Sequence, residues 1–138
     1  MIRYQNNPEG ITSSQLKGFF VGWPSAPSSE TLRNLLGAAH SVQRAIDNDI
    51  GKVIGFTYSI SDGILSAYAP LLEVQPDYQG QGVGRELIKR LLESLDSMYM
   101  IDVVRDREVE PFYSSLGFTP SFAMVQRNYE NQSGAGNS

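Results

Sequence analysis

Three glycines at alternate positions join two regular segments, and this junction constrains the fold more than any other feature. The stretch LLEVQPDYQGQGVGRELIKRLLESL, residues 71–95, begins as a strand that stops at Pro76. Gly80, Gly82 and Gly84 follow, and a helical repeat of apolar residues starts without a gap. Glycine has no Cβ, and the first amides of a helix have no partner within it. The junction therefore predicts a tight turn whose backbone donors can face an anion.

The spacing of these glycines excludes two common phosphate-binding motifs. A P-loop ends in Gly-Lys-Ser/Thr, whereas Arg85 and Glu86 follow Gly84. The dinucleotide fingerprint Gly-x-Gly-x-x-Gly would need glycine at position 85 or 87, where Arg85 and Leu87 stand. From spacing alone, the junction is either an anion cradle of another type or a glycine-rich turn without a ligand.

The rest of the chain alternates strand-like and helix-like segments. Helices are predicted at 13–20, 28–39, 83–95 and 107–117, and strands at 2–5, 41–47, 52–60, 64–74 and 98–104, with a final strand or strand pair at 118–129. Asp62-Gly63 predicts a short hairpin turn, and Pro70 predicts a break in pairing within the fourth strand. This order predicts an α/β (α+β) fold with a mixed sheet and helices on its faces.

Size and composition indicate one folded domain. The chain has 138 residues, of which 41% are hydrophobic, so we expect a single domain at 1–130 and a disordered polar tail at 131–138. There is no cysteine, which excludes disulfides, thiolate zinc sites and cysteine nucleophiles. A single histidine, His40, cannot build a multi-histidine site, so no metal is expected.

Charge and hydropathy restrict the partners. The net charge is −4 and the basic residues are scattered, which argues against a nucleic-acid-binding face. Neither a long apolar run nor the layout of a signal peptide is present, so no membrane insertion is expected and a cytoplasmic location is the default. A homodimer is compatible with the sequence, although no interface can be read from it.

Two segments together resemble the GNAT superfamily of N-acetyltransferases. QGQGVG, residues 79–84, is similar to its acyl-coenzyme A motif Gln/Arg-x-x-Gly-x-Gly/Ala, and EPFYSSLGF, residues 110–118, is similar to its C-terminal Phe-Tyr-x-x-x-Gly-Phe segment. The similarity covers roughly residues 53–118. It implies a mixed, mostly antiparallel sheet flanked by helices, with a coenzyme A cleft where the fourth and fifth strands splay apart.

The resemblance also assigns coenzyme-binding residues. By this resemblance, the backbone amides of five residues would bind the pyrophosphate: Gln81, Gly82, Val83, Gly84 and Arg85. Two further residues, Gln79 and Gly80, would shape the loop. Leu72 and Val74 lie on the strand edge where the family pairs its backbone with pantetheine, whose two amides suit an open edge. Asp106 stands where the family often has an asparagine that holds the coenzyme.

Catalytic roles follow from the same resemblance. Tyr113 matches the tyrosine that often protonates the departing thiolate, a step suited to a phenol; the alternative is an aromatic packed beside Phe112. Glu73 is the candidate general base, although strand alternation points it away from its neighbours Leu72 and Val74, and a solvated or ion-paired carboxylate is the alternative. A base could also act through water, or be unnecessary for a neutral amine.

The implied function is N-acetyl transfer from acetyl-coenzyme A to a primary amine of a small molecule or protein, by direct attack. Phe20, Trp23 and Tyr58 are candidates for the acceptor pocket, and core packing is their alternative role. A non-catalytic acyl-coenzyme A-binding or sensing module with the same fold, or a nucleotide-binding regulatory domain, are the competing interpretations.

Overall fold

The computed structural model describes residues 1–135 and contains a six-stranded sheet and three α-helices. The strands are β1 (Ile2–Gln5), β2 (Ser41–Asp47), β3 (Lys52–Ser61), β4 (Ser66–Tyr68), β5 (Leu72–Val74) and β6 (Met100–Asp102). The helices are α1 (Ser29–Ala38), α2 (Val83–Ser94) and α3 (Glu110–Ser114). The predicted mixed α/β architecture is confirmed.

The sheet is organised around the long strand β3. The strand order is β1-β2-β3-β4-β6, and β5 also pairs with β3. All pairs are antiparallel except β4 with β6, which are parallel. The parallel pair is connected through α2, as a crossover between parallel strands requires.

The predicted fourth strand, 64–74, is broken at Pro70, as the sequence indicated. Its first part, β4, pairs with Ile60 and Ser61 at the end of β3, whereas its second part, β5, pairs with 55–57 further back. At the break, the buried Thr57 hydroxyl donates to the Leu71 carbonyl oxygen at 2.9 Å. Beyond β4 the sheet continues to β6, but no strand within residues 1–135 pairs with the second edge of β5. The predicted splay is therefore present.

Each face of the sheet buries its own apolar cluster. On one face, α1 supplies Leu32 and Leu36 to a cluster with Phe56. On the other face, Val83 and Leu87 of α2 pack against Ala45 and Ile54, and lower on α2 a second cluster joins β4. The helix approaches so closely that a Cβ on Gly55 would lie 3.1 Å from a Leu87 methyl of α2. It would also lie 3.3 Å from the Glu73 carbonyl oxygen of the neighbouring strand β5.

The predicted final strand, 118–129, is wrong for this chain: the segment forms no strand, and a 3₁₀ turn at Tyr129–Asn131 follows it. A strand needs a neighbouring strand to satisfy its backbone N–H and C=O groups, and no strand within residues 1–135 pairs with the segment 118–129. The predicted tail begins at this turn, where Gln132 accepts a hydrogen bond from the Ser25 amide at 2.9 Å. Residues 136–138 of that tail lie outside the described residues.

Several predicted helices and turns are shorter or longer than expected. The helix at 13–20 is only a 3₁₀ turn, Ser13–Leu16, because Gly18 and Phe20 take left-handed backbone conformations. The helix at 107–117 is a 3₁₀ turn followed by the five residues of α3.

The hairpin at Asp62-Gly63 is a wider turn, in which one carboxylate oxygen of Asp62 accepts from the amides of Ile64, Leu65 and Ser66. The strand at 98–104 is reduced to β6, which is not buried as predicted. No helix in the described part of the chain is long and apolar enough to span a membrane.

Candidate active site

The free edge of β5 presents backbone groups from alternate residues. The Gln75 amide donates to the Ile54 carbonyl oxygen at 2.8 Å, which marks a hydrogen-bonded pair with β3. Such pairs alternate along an antiparallel ladder, so Glu73 exchanges its bonds with Phe56, and the amides of Leu72 and Val74 are directed to the opposite edge. The structure thus brings the two predicted strand residues to an edge that no strand in the described part covers.

Gln79 folds the glycine loop back onto that edge. Its side-chain nitrogen donates to the Val74 carbonyl oxygen at 2.9 Å, across the short 3₁₀ turn Pro76–Tyr78. One acceptor of the edge is therefore already used, while the Leu72 and Val74 amides still point outward. The sequence predicted that Gln79 shapes the loop, and this contact is the physical means.

The loop reaches the helix through two left-handed glycines. Gly80 has φ +76° and Gly82 has φ +86°, and Gly82 caps α2 without a side chain. The first bond of the helix runs from the Glu86 amide to the Gly82 carbonyl oxygen at 3.1 Å. The amides of the first turn, at Val83, Gly84 and Arg85, are therefore directed out of the helix end, where the dipole favours an anion.

Space over this loop is open. A Cβ built on Gly80 or Gly82 would meet no atom within 4 Å, so backbone conformation, rather than crowding by protein, is what requires glycine there. This arrangement is compatible with the predicted anion cradle, which stays a prediction.

Gly84 is the point where the cradle, β5 and α3 meet. A Cβ on Gly84 would lie 3.7 Å from side-chain carbons of both Leu72 and Val74, and 3.9 Å from the ring of Phe112. Arg85 donates to the Ser115 hydroxyl at 2.8 Å, and this hydroxyl donates to the Phe112 carbonyl oxygen at 2.6 Å. The start of α2 is therefore tied to the helix that carries Tyr113.

Tyr113 is held on α3 by aromatic packing. Its ring makes edge contacts with Phe112 and Phe118, at centroid distances of 5.0 and 5.5 Å. Burial raises the pKa of the Tyr113 phenol, which therefore carries its proton at neutral pH. The residue lines a cavity of about 910 Å³ next to β6. These contacts agree with the packing interpretation of Tyr113, and its role as an acid stays a prediction.

Glu73 lies on the other face of β5, as alternation predicted. Both of its carboxylate oxygens lie 3.2 Å from the Phe20 backbone nitrogen. Burial raises the pKa of Glu73, and the hydrogen bond from Phe20 partly opposes that rise. The carboxylate lines a second cavity, of about 210 Å³, together with residues of the β5 edge and the 18–21 turn.

The turn that holds Glu73 is strained. Phe20 has φ +61°, an uncommon conformation for an aromatic residue, between the left-handed glycines Gly18 and Gly22. Its ring packs against Trp23 and Phe56, at centroid distances of 4.8 and 6.4 Å. Sequence reasoning selected Phe20 and Trp23 as aromatic residues, but not the amide of Phe20 as a partner of Glu73. The two flanking glycines are the signal that could have suggested it.

Other predicted residues lie apart from these groups. Tyr58 belongs to the apolar core with α1, where burial raises its pKa to about 12. Asp106 is exposed and precedes the 3₁₀ turn Arg107–Val109. Gln75 was not predicted, yet it lines the smaller cavity and donates to the Lys17 carbonyl oxygen at 2.8 Å. Within residues 1–135, no cluster of three or more His, Asp or Glu could hold a metal ion.

Comparison with known proteins agrees with this geometry. Residues 39–120 match the family model described as the acetyltransferase (GNAT) domain. Histone acetyltransferase TAP1 of Glycine max is 33% identical over 108 residues, which cover 71% of this chain and 47% of that protein. GCN5-related N-acetyltransferase 2, chloroplastic, of Arabidopsis thaliana is 32% identical over 117 residues, with 71% and 45% covered. The chain spans about half the length of these curated relatives.

Solved structures give the same result over nearly the whole chain. A candidate acetyltransferase from Deinococcus radiodurans R1 has a TM-score of 0.92 and 46% identity, covering 96% of this chain and 92% of that chain. A GNAT family acetyltransferase from Streptococcus pneumoniae TIGR4 has a TM-score of 0.74 and 27% identity, covering 93% and 98%. Strand edge, glycine cradle, family model and structural similarity converge, and the chain belongs to the GNAT acetyltransferase family.

Proposed function

We propose that this chain transfers an acetyl group from acetyl-coenzyme A to a primary amine. The observation that carries the proposal is the adjacency of two features: an edge of β5 with which no strand of residues 1–135 pairs, and a helix start at Gly82–Arg85 that has no side-chain cap. The Gln79 side chain, in the loop before this helix start, donates a hydrogen bond to the Val74 carbonyl oxygen of β5, so the two features form a continuous backbone surface. Such a surface suits a ligand that has amides at one end and a pyrophosphate at the other.

The residues present fit acetyl-coenzyme A. Pantetheine carries two amides that can pair with the outward amides of Leu72 and Val74, as an added strand does. The pyrophosphate suits the first-turn amides of α2 and the positive end of its dipole. Neither interaction needs a positively charged protein, which agrees with a net charge of −4.

The smaller cavity is the proposed entrance for the acceptor amine. It is lined by both Glu73 and the β5 residues Leu72 and Val74, so an amine there would be close to the strand edge. A volume of about 210 Å³ lies below the roughly 300–1,000 Å³ typical of ligand pockets. We therefore propose that the amine arrives on a slender aliphatic or peptide side chain, with a small molecule and a protein lysine or N-terminus both compatible.

Two residues, Glu73 and Tyr113, would carry out the proton transfers. The acetyl thioester is the activated group that the coenzyme supplies. Glu73 would take a proton from the incoming ammonium, a role favoured by its raised pKa. As the amine nitrogen bonds to the acetyl carbon and the carbon–sulfur bond breaks, Tyr113 would give its proton to the thiolate, and the excess proton that the nitrogen then releases would restore the phenol. A backbone amide near Val74 would stabilise the carbonyl oxygen.

Substitution of Gly82 tests the cradle. Gly82→Val forces a β-branched residue into a left-handed conformation and places its side chain in the open space over the loop. We expect calorimetric titration with acetyl-coenzyme A to show at least a 100-fold weaker affinity, about 2.7 kcal/mol.

Gly10→Val is the matched control for that experiment. Gly10 has φ +76° and open space around it, but it lies in the turn after β1, so it imposes similar strain away from the cradle. The control should bind normally. Equal loss of affinity in both variants, or unchanged affinity of Gly82→Val, would contradict the cradle.

Removal of the Tyr113 hydroxyl tests the acid. We expect Tyr113→Phe to lower kcat by about 10²-fold or more, because general acid–base catalysis typically contributes 10²–10⁴-fold. Affinity for acetyl-coenzyme A should stay within about twofold, since the ring packing is kept. Tyr4→Phe, on β1, is the control for loss of a phenol hydroxyl. Full activity of Tyr113→Phe in a steady-state assay would remove the acid assignment.

The raised pKa of Glu73 predicts a pH-dependent stability. A carboxyl whose folded pKa lies above its unfolded value adds stability below the unfolded pKa, and this is lost as the pH rises through the folded pKa. Glutamine does not ionise, so the unfolding free energy of Glu73→Gln should rise relative to the parent between about pH 4 and about pH 8.

Urea unfolding at both pH values measures this difference. Glu93→Gln, on the exposed face of α2, controls for removal of a carboxylate, and the trend at Glu73 is taken relative to it. A relative stability of Glu73→Gln that falls with rising pH would show that the hydrogen bond from Phe20, and not burial, dominates the environment of Glu73.

A further inference from the structure

Gln75, the residue that follows β5, takes part in the sheet, in the glycine loop and in the smaller cavity. Its backbone amide donates to the Ile54 carbonyl oxygen of β3 at 2.8 Å. Its own carbonyl oxygen accepts from the Tyr78 amide at 2.9 Å, which forms the short turn before the glycine loop. Its side chain leaves this path and lines the smaller cavity, the proposed entrance for the amine. The backbone and the side chain of Gln75 therefore contact different parts of the site.

The side-chain amide of Gln75 holds the turn that forms part of the wall of this cavity. This turn, residues 17–22, is called the acceptor turn below. The Gln75 Nε2 donates to the Lys17 carbonyl oxygen at 2.8 Å and, over a longer 3.4 Å, to the Val53 carbonyl oxygen of β3. A glutamine amide has two N–H donors, and the bonds here go to main-chain oxygens of two separate segments. Gln75 thus links the acceptor turn to the sheet.

Alternate left-handed residues give the acceptor turn its shape. Gly18, Phe20 and Gly22 have φ of +97°, +61° and +86°. This conformation is costly for phenylalanine and persists only where the surroundings impose it. Two residues at the β5 end of the sheet supply such constraints, since the Glu73 carboxylate accepts from the Phe20 amide and Gln75 holds the start of the turn.

The amide of Gln75 fits closely against the backbone of the acceptor turn. A Cβ on Gly18 would lie 3.1 Å from Gln75 Nε2, which is tighter than an ordinary van der Waals contact, and 3.5 Å from Lys52 Nζ. Gln75 precedes the 3₁₀ turn Pro76–Tyr78, where a short Ser, Thr, Asp or Asn side chain is the usual cap, yet it makes no side-chain cap. The contact with the acceptor turn is therefore what gives this glutamine a role.

We propose that Gln75 is a positioning residue of the acceptor site: it fixes the acceptor turn so that the Phe20 amide faces Glu73 and the cavity keeps its width. Gln75 does not contact the reacting atoms and acts through Phe20 and Glu73. The identification of the cavity as an acceptor site rests on the proposed function, whereas the effect of Gln75 on the acceptor turn and on Glu73 does not.

The position of the acceptor turn decides how Glu73 titrates. Burial raises the pKa of Glu73 by more than the hydrogen bond from Phe20 lowers it. If the turn moves away, water reaches the carboxylate, and the pKa falls toward its ordinary value. On the two elements that contact Glu73, the acceptor turn and β3, the charged residues are Lys17 and Lys52. The substitutions below leave both lysines in place. Tyr58, also on β3, keeps its proton because its pKa is raised to about 12.

Two measurements test the positioning without an assay of activity: carbon-13 NMR titration of the Glu73 carboxyl and hydrogen exchange at the Phe20 amide. Gln75→Met keeps the length of the side chain and removes its amide. We expect the pKa of Glu73 to lie above its ordinary value in the parent and about half a pH unit lower in the variant. The Phe20 amide should exchange about tenfold faster in the variant. A Glu73 titration that is unchanged or moves upward in Gln75→Met, or an ordinary pKa in the parent, overturns the proposal.

Gln15→Met is the matched control for general loosening. Gln15 lies in the 3₁₀ turn just before the acceptor turn, and its side chain accepts from the Thr12 amide at 3.0 Å. This variant loses a nearby glutamine hydrogen bond and should titrate like the parent at Glu73; an equal shift in both variants overturns the proposal. Circular dichroism checks folding. If Gln75→Met does not fold, Gln75→Asn, whose amide is one methylene short of the Lys17 carbonyl oxygen, repeats the test.

Steady-state kinetics then tests the role in the acceptor site, with n-butylamine and Nα-acetyl-lysine amide as acceptors. In Gln75→Met, we expect about a tenfold higher KM for the amine, with the KM for acetyl-coenzyme A within about twofold of the parent. The acid limb of the kcat/KM profile should move to lower pH together with the pKa of Glu73. A merely structural loss would reduce the active fraction and leave both KM values and the pH profile unchanged.

The two kinds of failure are distinguishable. A parent that acetylates neither acceptor counts against the proposed function, and the NMR titration still decides whether Gln75 positions Glu73. Turnover by the parent together with unchanged KM values in Gln75→Met, or an equal rise of both, contradicts a role of Gln75 in the acceptor site.

Discussion

The site depends on one interruption in the sheet. Pro70 has no N–H to donate to a neighbouring strand, and the two segments that flank it, β4 and β5, pair with different stretches of β3. The hydroxyl of Thr57 donates a hydrogen bond to the Leu71 carbonyl oxygen at the break, so this acceptor is paired although the ladder is interrupted. The arrangement of the site follows from this break. β4 pairs with β6, whereas β5 keeps an edge with which no strand of residues 1–135 pairs, and the gap between β5 and β6 opens beside the glycine cradle.

The side chains and backbone groups of the three β5 residues point in three different directions. The side chains of Leu72 and Val74 pack toward α2 and fix the start of the helix, while their amides point to the open edge. Glu73 points to the opposite face. There its carboxylate accepts a hydrogen bond from the amide of Phe20, which lies in a strained turn. Strain of this kind persists only where the surroundings over-determine it, and it is common at functional sites. The coenzyme and acceptor surfaces proposed above are thus two faces of one short strand.

The sequence predicted the parts of the site that are local and missed those that depend on distant contacts. The glycine spacing, the strand break at Pro70 and the side of the strand on which Glu73 lies follow from backbone chemistry within a few residues. The contact of Phe20 with Glu73 joins residues 53 positions apart, and no periodicity encodes it. The strand predicted at 118–129 has the right composition, but a strand forms only against an edge, and the sequence does not say which edge is available.

Hydrogen exchange of individual amides tests the central claim most directly, because the claim concerns backbone donors. On addition of acetyl-coenzyme A, we expect slower exchange at Leu72 and Val74 of the β5 edge and at the start of α2, from Gly82 to Arg85. The amide of Glu73, which already faces β3, should change much less. Protection at the cradle without protection of Leu72 and Val74, or no protection at either, would contradict a coenzyme site built from this strand edge and helix start.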